Sequence, residues 1–397
     1  MKIGFNKPYQ TGKEREYICD ALKRQQLSGN GYYTRRCQRF MENKYGFSKV
    51  LLTTSCTDAL EMAAILLDIQ PGDEVIMPSY TFTSTANAFI LRGATIIFAD
   101  SQKNHPNLDA EKLEPLITPQ TKAIVVVHYG GVACDMDRIM ALANRHDLYV
   151  VEDAAQAIDT RYKGRPVGSI GHFGCFSFHD SKNITCGEGG MLAINDEKYI
   201  SRAEIIWEKG TNRAAFFRGE VKKYMWQDIG SSFLPSELNA AYLYAQLEQI
   251  DKIQAKRVED WNYYQHRFSL LIENLLPQSF PYSVSNAHSF SLICKNELEK
   301  QTLEAYLQER GIQALGHYVP LHMSDYFHDR HDGRALPNAE KFAGCLLRLP
   351  LYYEMTLKEL KYIIKSVRNF YEENTLIHRL DKTPKAITAR ASRTSSG

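Results

Sequence analysis

The chain has 397 residues, of which 44% are hydrophobic and 24% charged, a globular balance that leaves room for two domains. The net charge is +2, but Leu376 to Gly397 carry +4, so the body is left near −2 with no global pull toward nucleic acid. The eight cysteines are scattered without Cys-x-x-Cys or zinc-type spacing, which points to small, buried, reduced side chains.

Short apolar runs alternate with helical periods. Strands are expected at 50–54, 74–78, 95–99, 123–128, 149–152, 173–178 and 190–194. Helices are expected at 57–67, 135–146 and 198–207, the second capped by Asp135. Ile124-Val125-Val126-Val127 and Tyr149-Val150-Val151 are continuous rather than alternating, as in parallel strands covered on both faces. This predicts a large α/β domain over residues 1–235, with a mostly parallel seven-stranded sheet and helices on both faces.

From 236 to about 271 there is neither Gly nor Pro. Ala240, Leu243, Leu247, Ile250 and Ile253 recur at helical spacing, so a long helix, whole or broken, leaves the large domain. A strand at 289–294 and helices at 297–310 and 356–371 complete a smaller α+β domain over 236–374, with Gly311 as a helix C-cap. Residues 375–397, rich in Thr, Ser and Ala, read as a disordered basic tail. Met1 to Asn6 lacks the apolar core of a signal peptide, and no run approaches the roughly 18 apolar residues of a membrane span. A cytoplasmic protein without membrane insertion is expected.

Four strand ends deliver functional groups to the edge where an open α/β sheet binds ligands. Ser55-Cys56-Thr57-Asp58 opens a helix, and Thr57 offers a hydroxyl and an N–H either to a phosphate or to a helix cap. In Pro78-Ser79-Tyr80-Thr81-Phe82, Phe82 is placed to stack on a planar ring, or to sit in the core. Glu152-Asp153-Ala154-Ala155-Gln156 delivers an acid. Asp153 suits a pyridinium nitrogen or a helix cap, and Gln156 a ring hydroxyl. Ser177-Phe178-His179-Asp180-Ser181-Lys182-Asn183 delivers an amine that can form a Schiff base, with Ser177 as a further phosphate donor. An amine and an acid so placed are what pyridoxal phosphate requires. Pairing with a ring cation predicts a lowered pKa for Asp153.

These motifs, in this order, resemble the DegT/DnrJ/EryC1/StrS sugar aminotransferases within the fold-type I pyridoxal phosphate enzymes. The carrying runs are Ser55-Cys56-Thr57-Asp58-Ala59-Leu60, Pro78-Ser79-Tyr80-Thr81-Phe82, Glu152-Asp153-Ala154-Ala155-Gln156 and Ser177-Phe178-His179 followed by Lys182-Asn183. The resemblance spans about residues 3–373. It implies a homodimer with shared active sites, acting on a nucleotide sugar with L-glutamate as amino donor. Lys182 would be the catalytic lysine, with Cys56, Thr57, Phe82, Asp153, Gln156 and Ser177 around the cofactor. Where much of the family has Gly-x-Asn-x-Arg from the neighbouring subunit, this chain has Gly230-Ser231-Ser232-Phe233-Leu234, so Ser232 stands at the asparagine position. Cys56 stands where many relatives carry Gly.

For the substrate side, Gly29, Asn30, Gly31 and Tyr33 suggest an N-terminal flap. Arg213 and Arg35 are candidates for the donor carboxylate. His317, Tyr318 and His322 suit either the sugar nucleotide or a turn built on Pro320. A sugar 3-dehydratase of the family would carry His at position 182, and a non-catalytic sugar-nucleotide sensor would not need the Asp153–Lys182 pair. A C3 aminotransferase is not separated by these motifs.

Overall fold

A computed structural model describes residues 1–271 and 275–381, the stretch 374–381 by its backbone only. Seven strands make one sheet: β1 (Lys49–Thr53), β2 (Glu74–Pro78), β3 (Thr95–Ala99), β4 (Thr121–Val127), β5 (Tyr149–Asp153), β6 (Phe173–Ser177) and β7 (Gly190–Ile194). Their spatial order is β1-β7-β6-β5-β4-β2-β3. β7 runs antiparallel to both neighbours, and the other pairs are parallel. All seven expected strands are present, and 74–78, 95–99 and 190–194 match to the residue.

The helices of the large unit are α1 (Glu14–Lys23), α2 (Tyr32–Tyr45), α3 (Cys56–Leu66), α4 (Thr83–Ile90), α5 (Met136–Arg145), α6 (Ile200–Trp207), α7 (Arg213–Phe217) and α8 (Glu237–Leu247). Successive strand residues point to opposite faces, so a strand buried on both sides has no polar alternation. Ile124, Val126 and Val150 pack in one cluster with side chains of α2, α5 and α8. Val125 and Val151 pack in another with α3, α4 and α6. Val150 and Val151 are both fully buried. Each contributes about 1.5–3 kcal/mol by leaving water, so a charge at either position would unfold the sheet.

The expected long helix is two, α8 and then α9 (Ile250–Ser269), separated at Glu248 and Gln249. Ile250 and Ile253 of α9 still belong to the sheet-side core, whereas Tyr264 and Phe268 enter a third cluster. That cluster belongs to the smaller C-terminal unit: β8 (Phe290–Ile293), α10 (Glu297–Glu309), α11 (Pro337–Cys345), β9 (Leu346–Leu349) and α12 (Leu357–Asp381). β8 and β9 pair antiparallel, and Gly311 follows α10 with φ of 74°.

Two local expectations differ. Asp135 precedes α5 but makes no side-chain cap; its carboxylate accepts the Tyr162 hydroxyl and pairs with Arg138 instead. The boundary placed at 374 falls inside α12, which continues as helix to Asp381, so 375–381 is not a disordered start to a tail. The rest of that expected tail, 382–397, lies outside the described residues. Among the described residues no helix is long and apolar enough to cross a membrane, and no group of three metal-binding side chains occurs.

Candidate active site

The carboxyl ends of β1, β2, β4, β5 and β6 supply the site. Asp153 ends β5 and is flanked in register by Val127 of β4 and Cys175 of β6. Its side chain is buried. Oδ2 accepts the Thr85 hydroxyl at 2.7 Å and Oδ1 accepts the Ala155 N–H at 3.1 Å. Thr85 lies in the first turn of α4 and hydrogen-bonds Thr81 at 2.8 Å, so two hydroxyls in series fix the carboxylate's orientation. Burial raises the Asp153 pKa, with Thr85, Ala155, Lys182 and His128 pulling the other way. That is the direction set by the protein's own groups; the expected lowering is for the carboxylate paired with a ring cation. The protein's own cations act on Asp153 only through space, while desolvation acts in full.

Lys182 lies five residues beyond β6, in a turn closed by Lys182 N–H to His179 O (2.9 Å), Asp180 N–H to Gly187 O and Cys186 N–H to Phe178 O. Burial lowers its pKa, and the Arg348 guanidinium lowers it further, whereas Cys56 and Asp153 raise it. The residue as a whole keeps partial solvent access, yet its amine end sits in the desolvated part of the site, which favours the neutral amine.

The start of α3 meets the start of β7. A Cβ on Gly190 would collide with the backbone of Ser55 and Cys56, so only glycine permits this approach. Ser55 caps α3 by accepting the Asp58 N–H, and Ala59 N–H returns to Ser55 O. Among the described residues the N–H groups of Cys56 and Thr57 find no protein acceptor, which suits an anion at a helix start. The Thr57 hydroxyl contacts Ser84 Oγ at 2.7 Å, and the buried Ser177 accepts a long bond from His179 N–H. The Cys56 thiol is buried with its pKa pushed well up, so it is a neutral filler.

Phe82 is 56% exposed at the start of α4, whereas Tyr80 is 1% exposed and packs against Tyr129, Tyr318 and Phe342. Gln156 is committed at both ends: its carbonyl accepts Gly130 N–H at 2.7 Å and its amide donates to the Tyr318 hydroxyl at 3.0 Å. The His317 carbonyl accepts the hydroxyls of both Tyr80 and Tyr129. That segment is thereby held over the sheet edge with the Tyr318 ring 6.1 Å from Phe82.

Several expected substrate residues are placed otherwise. His322 is buried, with Nδ1 at 2.7 Å from Ser79 Oγ and Nε2 at 3.4 Å from Glu340. Tyr33 is a core residue beside Tyr17 and Tyr244, its hydroxyl on Asp20. The 29–31 segment is docked on Glu237 and Leu234. Glu237 accepts the N–H groups of Gly31, Tyr33 and Thr34, and side chains at 29 or 31 would strike Leu234 or Glu237. Asn30 donates to Glu208, which also pairs with Arg213 at 3.0 Å. Gly29, Glu208, Arg213 and Ser232 line a separate cleft of about 510 Å³. Arg35 is exposed and bonded to Asn30 O.

Thr85, Glu237, His288 and Arg348 were not singled out from sequence. Only Arg348 carries a sequence signal, a cation inside the apolar strand Leu346-Leu347-Arg348-Leu349.

A seven-stranded sheet in this order, with a lysine of lowered pKa and a buried acid at its carboxyl edge, defines a fold-type I pyridoxal phosphate enzyme. The residues fit that cofactor: a neutral-leaning amine, an oriented buried carboxylate and unpaired N–H groups at a helix start. The model of the DegT/DnrJ/EryC1/StrS aminotransferase family matches residues 8–368. The spore coat polysaccharide biosynthesis protein SpsC of Bacillus subtilis is 36% identical over 336 residues, covering 82% of this chain and 86% of that protein. GDP-perosamine synthase of Escherichia coli O157:H7 is 31% identical over 375 residues, covering 94% and 99%. The structure of Spr1654 from Streptococcus pneumoniae in its pyridoxal phosphate form superposes with a TM-score of 0.86 at 25% identity, covering 94% and 99%. The chain belongs to the DegT/DnrJ/EryC1/StrS aminotransferase family. It is a pyridoxal phosphate-dependent aminotransferase.

Proposed function

We propose that the protein transfers the amino group of L-glutamate to C4 of a 4-keto-6-deoxy nucleotide sugar, dTDP-4-dehydro-6-deoxy-D-glucose. The products are dTDP-4-amino-4,6-dideoxy-D-galactose and 2-oxoglutarate, the former for a cell-surface polysaccharide such as enterobacterial common antigen or O-antigen. The observation that carries the chemistry is Lys182, its amine pushed toward neutrality, across the sheet edge from the oriented carboxylate of Asp153. The substrate class is supported by relatives named for a GDP-linked sugar and for polysaccharide biosynthesis. The particular sugar is supported by the runs 28–37, 132–137, 208–213, 228–232 and 317–322, which resemble the branch of the family that forms this amino sugar.

Pyridoxal phosphate, when bound, supplies an electrophilic carbon for the amine and an electron sink for the α-carbanion. Lys182 Nζ removes the proton from the donor's α-carbon, and in the second half delivers one to sugar C4. A single amine serves both because it can exist unprotonated, which an arginine cannot. Asp153 offers a fixed negative charge to the ring nitrogen, and a cation against it draws its raised pKa back down. Cys56 and Thr57 N–H groups, with the Thr57 and Ser177 hydroxyls, would hold the cofactor's phosphate, and Phe82 would stack on its ring.

The active form is a homodimer in this reading. Phe217, Tyr224, Met225, Trp226 and Ile229 are 47–81% exposed within thirteen residues, an apolar cluster of the kind that partners cover. Ser232 shares a cleft with Tyr224 of this cluster, which supports a role for Ser232 toward the neighbouring subunit. The test is product analysis by NMR with purified enzyme, L-glutamate and dTDP-4-keto-6-deoxyglucose. An axial C4 amine is expected, and a C3 amine or an unchanged sugar would overturn the assignment.

A further inference from the structure

A cavity of about 370 Å³ lies between α9, the 277–285 segment and β8. Val258 and Trp261 of α9, Phe280, and Phe290 of β8 wall it with apolar surface. Val284, 62% exposed, stands at its mouth. None of the residues that line it is Asp, Glu, Lys or Arg, and neither Lys182 nor Asp153 is among them. Tyr129 and Gly130 do line it, and they hold the carbonyls of His317 and Gln156, so the cavity shares a wall with the active site.

His105 is the polar group that the fold leaves unused there. It is 3% exposed, and its ring meets Phe280 edge to face at 5.3 Å. Nδ1 accepts the Asn107 N–H at 3.1 Å. Burial pushes the His105 pKa down to about 3, so the ring is neutral. A neutral imidazole has one N–H, and with the Nδ1 lone pair engaged that proton is on Nε2. Among the described residues no acceptor meets Nε2, and the cavity is the space the ring lines. A buried donor in this state is unfavourable until an acceptor arrives.

These walls set the chemistry of an occupant. No side chain can pair a charge, so the occupant is uncharged. The donor is single and neutral, which suits a carbonyl oxygen. The aromatic walls favour a flat ring in offset or edge contact. An apolar lining with few polar groups and this volume is typical of small-molecule sites. L-glutamate and a nucleotide sugar both carry negative charge, so neither substrate of the proposed reaction fits. We propose that the cavity binds an uncharged, flat aromatic molecule whose carbonyl oxygen accepts the His105 Nε2 proton. This second site is independent of which sugar is aminated.

The probe is coumarin, two fused rings with one carbonyl, added to holoenzyme so that the cofactor occupies its own pocket. Calorimetry should give a dissociation constant of about 1 mM or tighter, the scale for a ligand of this size. Chroman, the same bicycle without the carbonyl, should bind about fivefold more weakly, the worth of one neutral hydrogen bond. Coumarin-3-carboxylate should bind at least about tenfold more weakly, because its charge finds no partner. These comparisons need no variant to fold. His105→Phe should remove the preference for coumarin over chroman. Val258→Trp should fill the cavity and abolish coumarin binding, with the cofactor spectrum unchanged. A crystal structure of holoenzyme with coumarin should place its carbonyl oxygen within hydrogen-bond distance of His105 Nε2. Failure of coumarin to bind, equal affinity for its carboxylate, or coumarin seated anywhere else overturns the proposal. So does a Val258→Trp enzyme that keeps its cofactor spectrum and binds coumarin as before.

Discussion

The two faces of β5 put adjacent carboxylates to opposite uses. Glu152 shares its face with Val150, and Asp153 shares the other with Val151. Glu152 is saturated: it accepts the N–H groups of Gly168, Ile170 and Gly171 and pairs with His128 at 3.0 Å. Asp153, equally hidden from water, holds only one hydroxyl and one N–H. Arginines repeat the contrast, with Arg257 satisfied by carbonyls and Arg348 left with an orphan Nε. Buried polar groups that are fully partnered hold the fold; those left short of partners face the chemistry.

The contrast can be broken by substitution. Lys182→Ala should abolish transamination, by at least about 10³-fold, while the protein stays folded. Mass spectrometry after borohydride reduction should then find no cofactor-labelled peptide, and substantial product from this variant would end the mechanism. Asp153→Asn should cost about 10²–10³-fold in turnover with a small change in melting temperature, since it removes a charge the fold does not use. Glu152→Gln should do the reverse. Stability should fall by roughly 2–4 kcal/mol in denaturant titration, because three N–H groups lose a charged acceptor, while the folded fraction keeps its cofactor spectrum. Thr85→Val should lower activity about tenfold by freeing the Asp153 carboxylate, readable as weaker cofactor retention on dialysis.

The smallest effect is with pH. His317 is held near 4 in the folded protein against 6.5 ordinarily, so the unfolded chain binds more protons between those values. Stability is full above about 6.5 and falls as the pH drops toward 4. His317→Asn should reduce the slope of melting temperature over that window, where His105, His172, His288 and His322 contribute in the same direction, and an unchanged slope would refute the assignment.

Strands were legible where apolar runs met polar borders, as at 74–78 and 190–194, because two-sided burial leaves no other reading. Lys182 and Asp153 were legible because each closes such a run. Thr85 was not, since its value depends on one hydrogen bond to Asp153, 68 residues away in the chain. The close approach of Gly29 and Gly31 to Leu234 and Glu237 was not legible, because those partners lie about 200 residues away in the chain. The burial of His322 and Tyr33 was not legible, because histidine and tyrosine look the same in sequence whether they face a ligand, a turn or the core. The position of the break between α8 and α9 was also hidden, since nothing at Glu248-Gln249 disfavours helix.

The lysine and the acid stand on the sheet, whereas Arg348 stands on β9 in the C-terminal unit beside the loop of His317 and Tyr318. The amine and a guanidinium that lowers its pKa therefore come from separate pieces of polypeptide. A substitution in β9 or in the turn of His317 and Tyr318 can therefore retune the charge on that amine while the sheet residues around it keep their places.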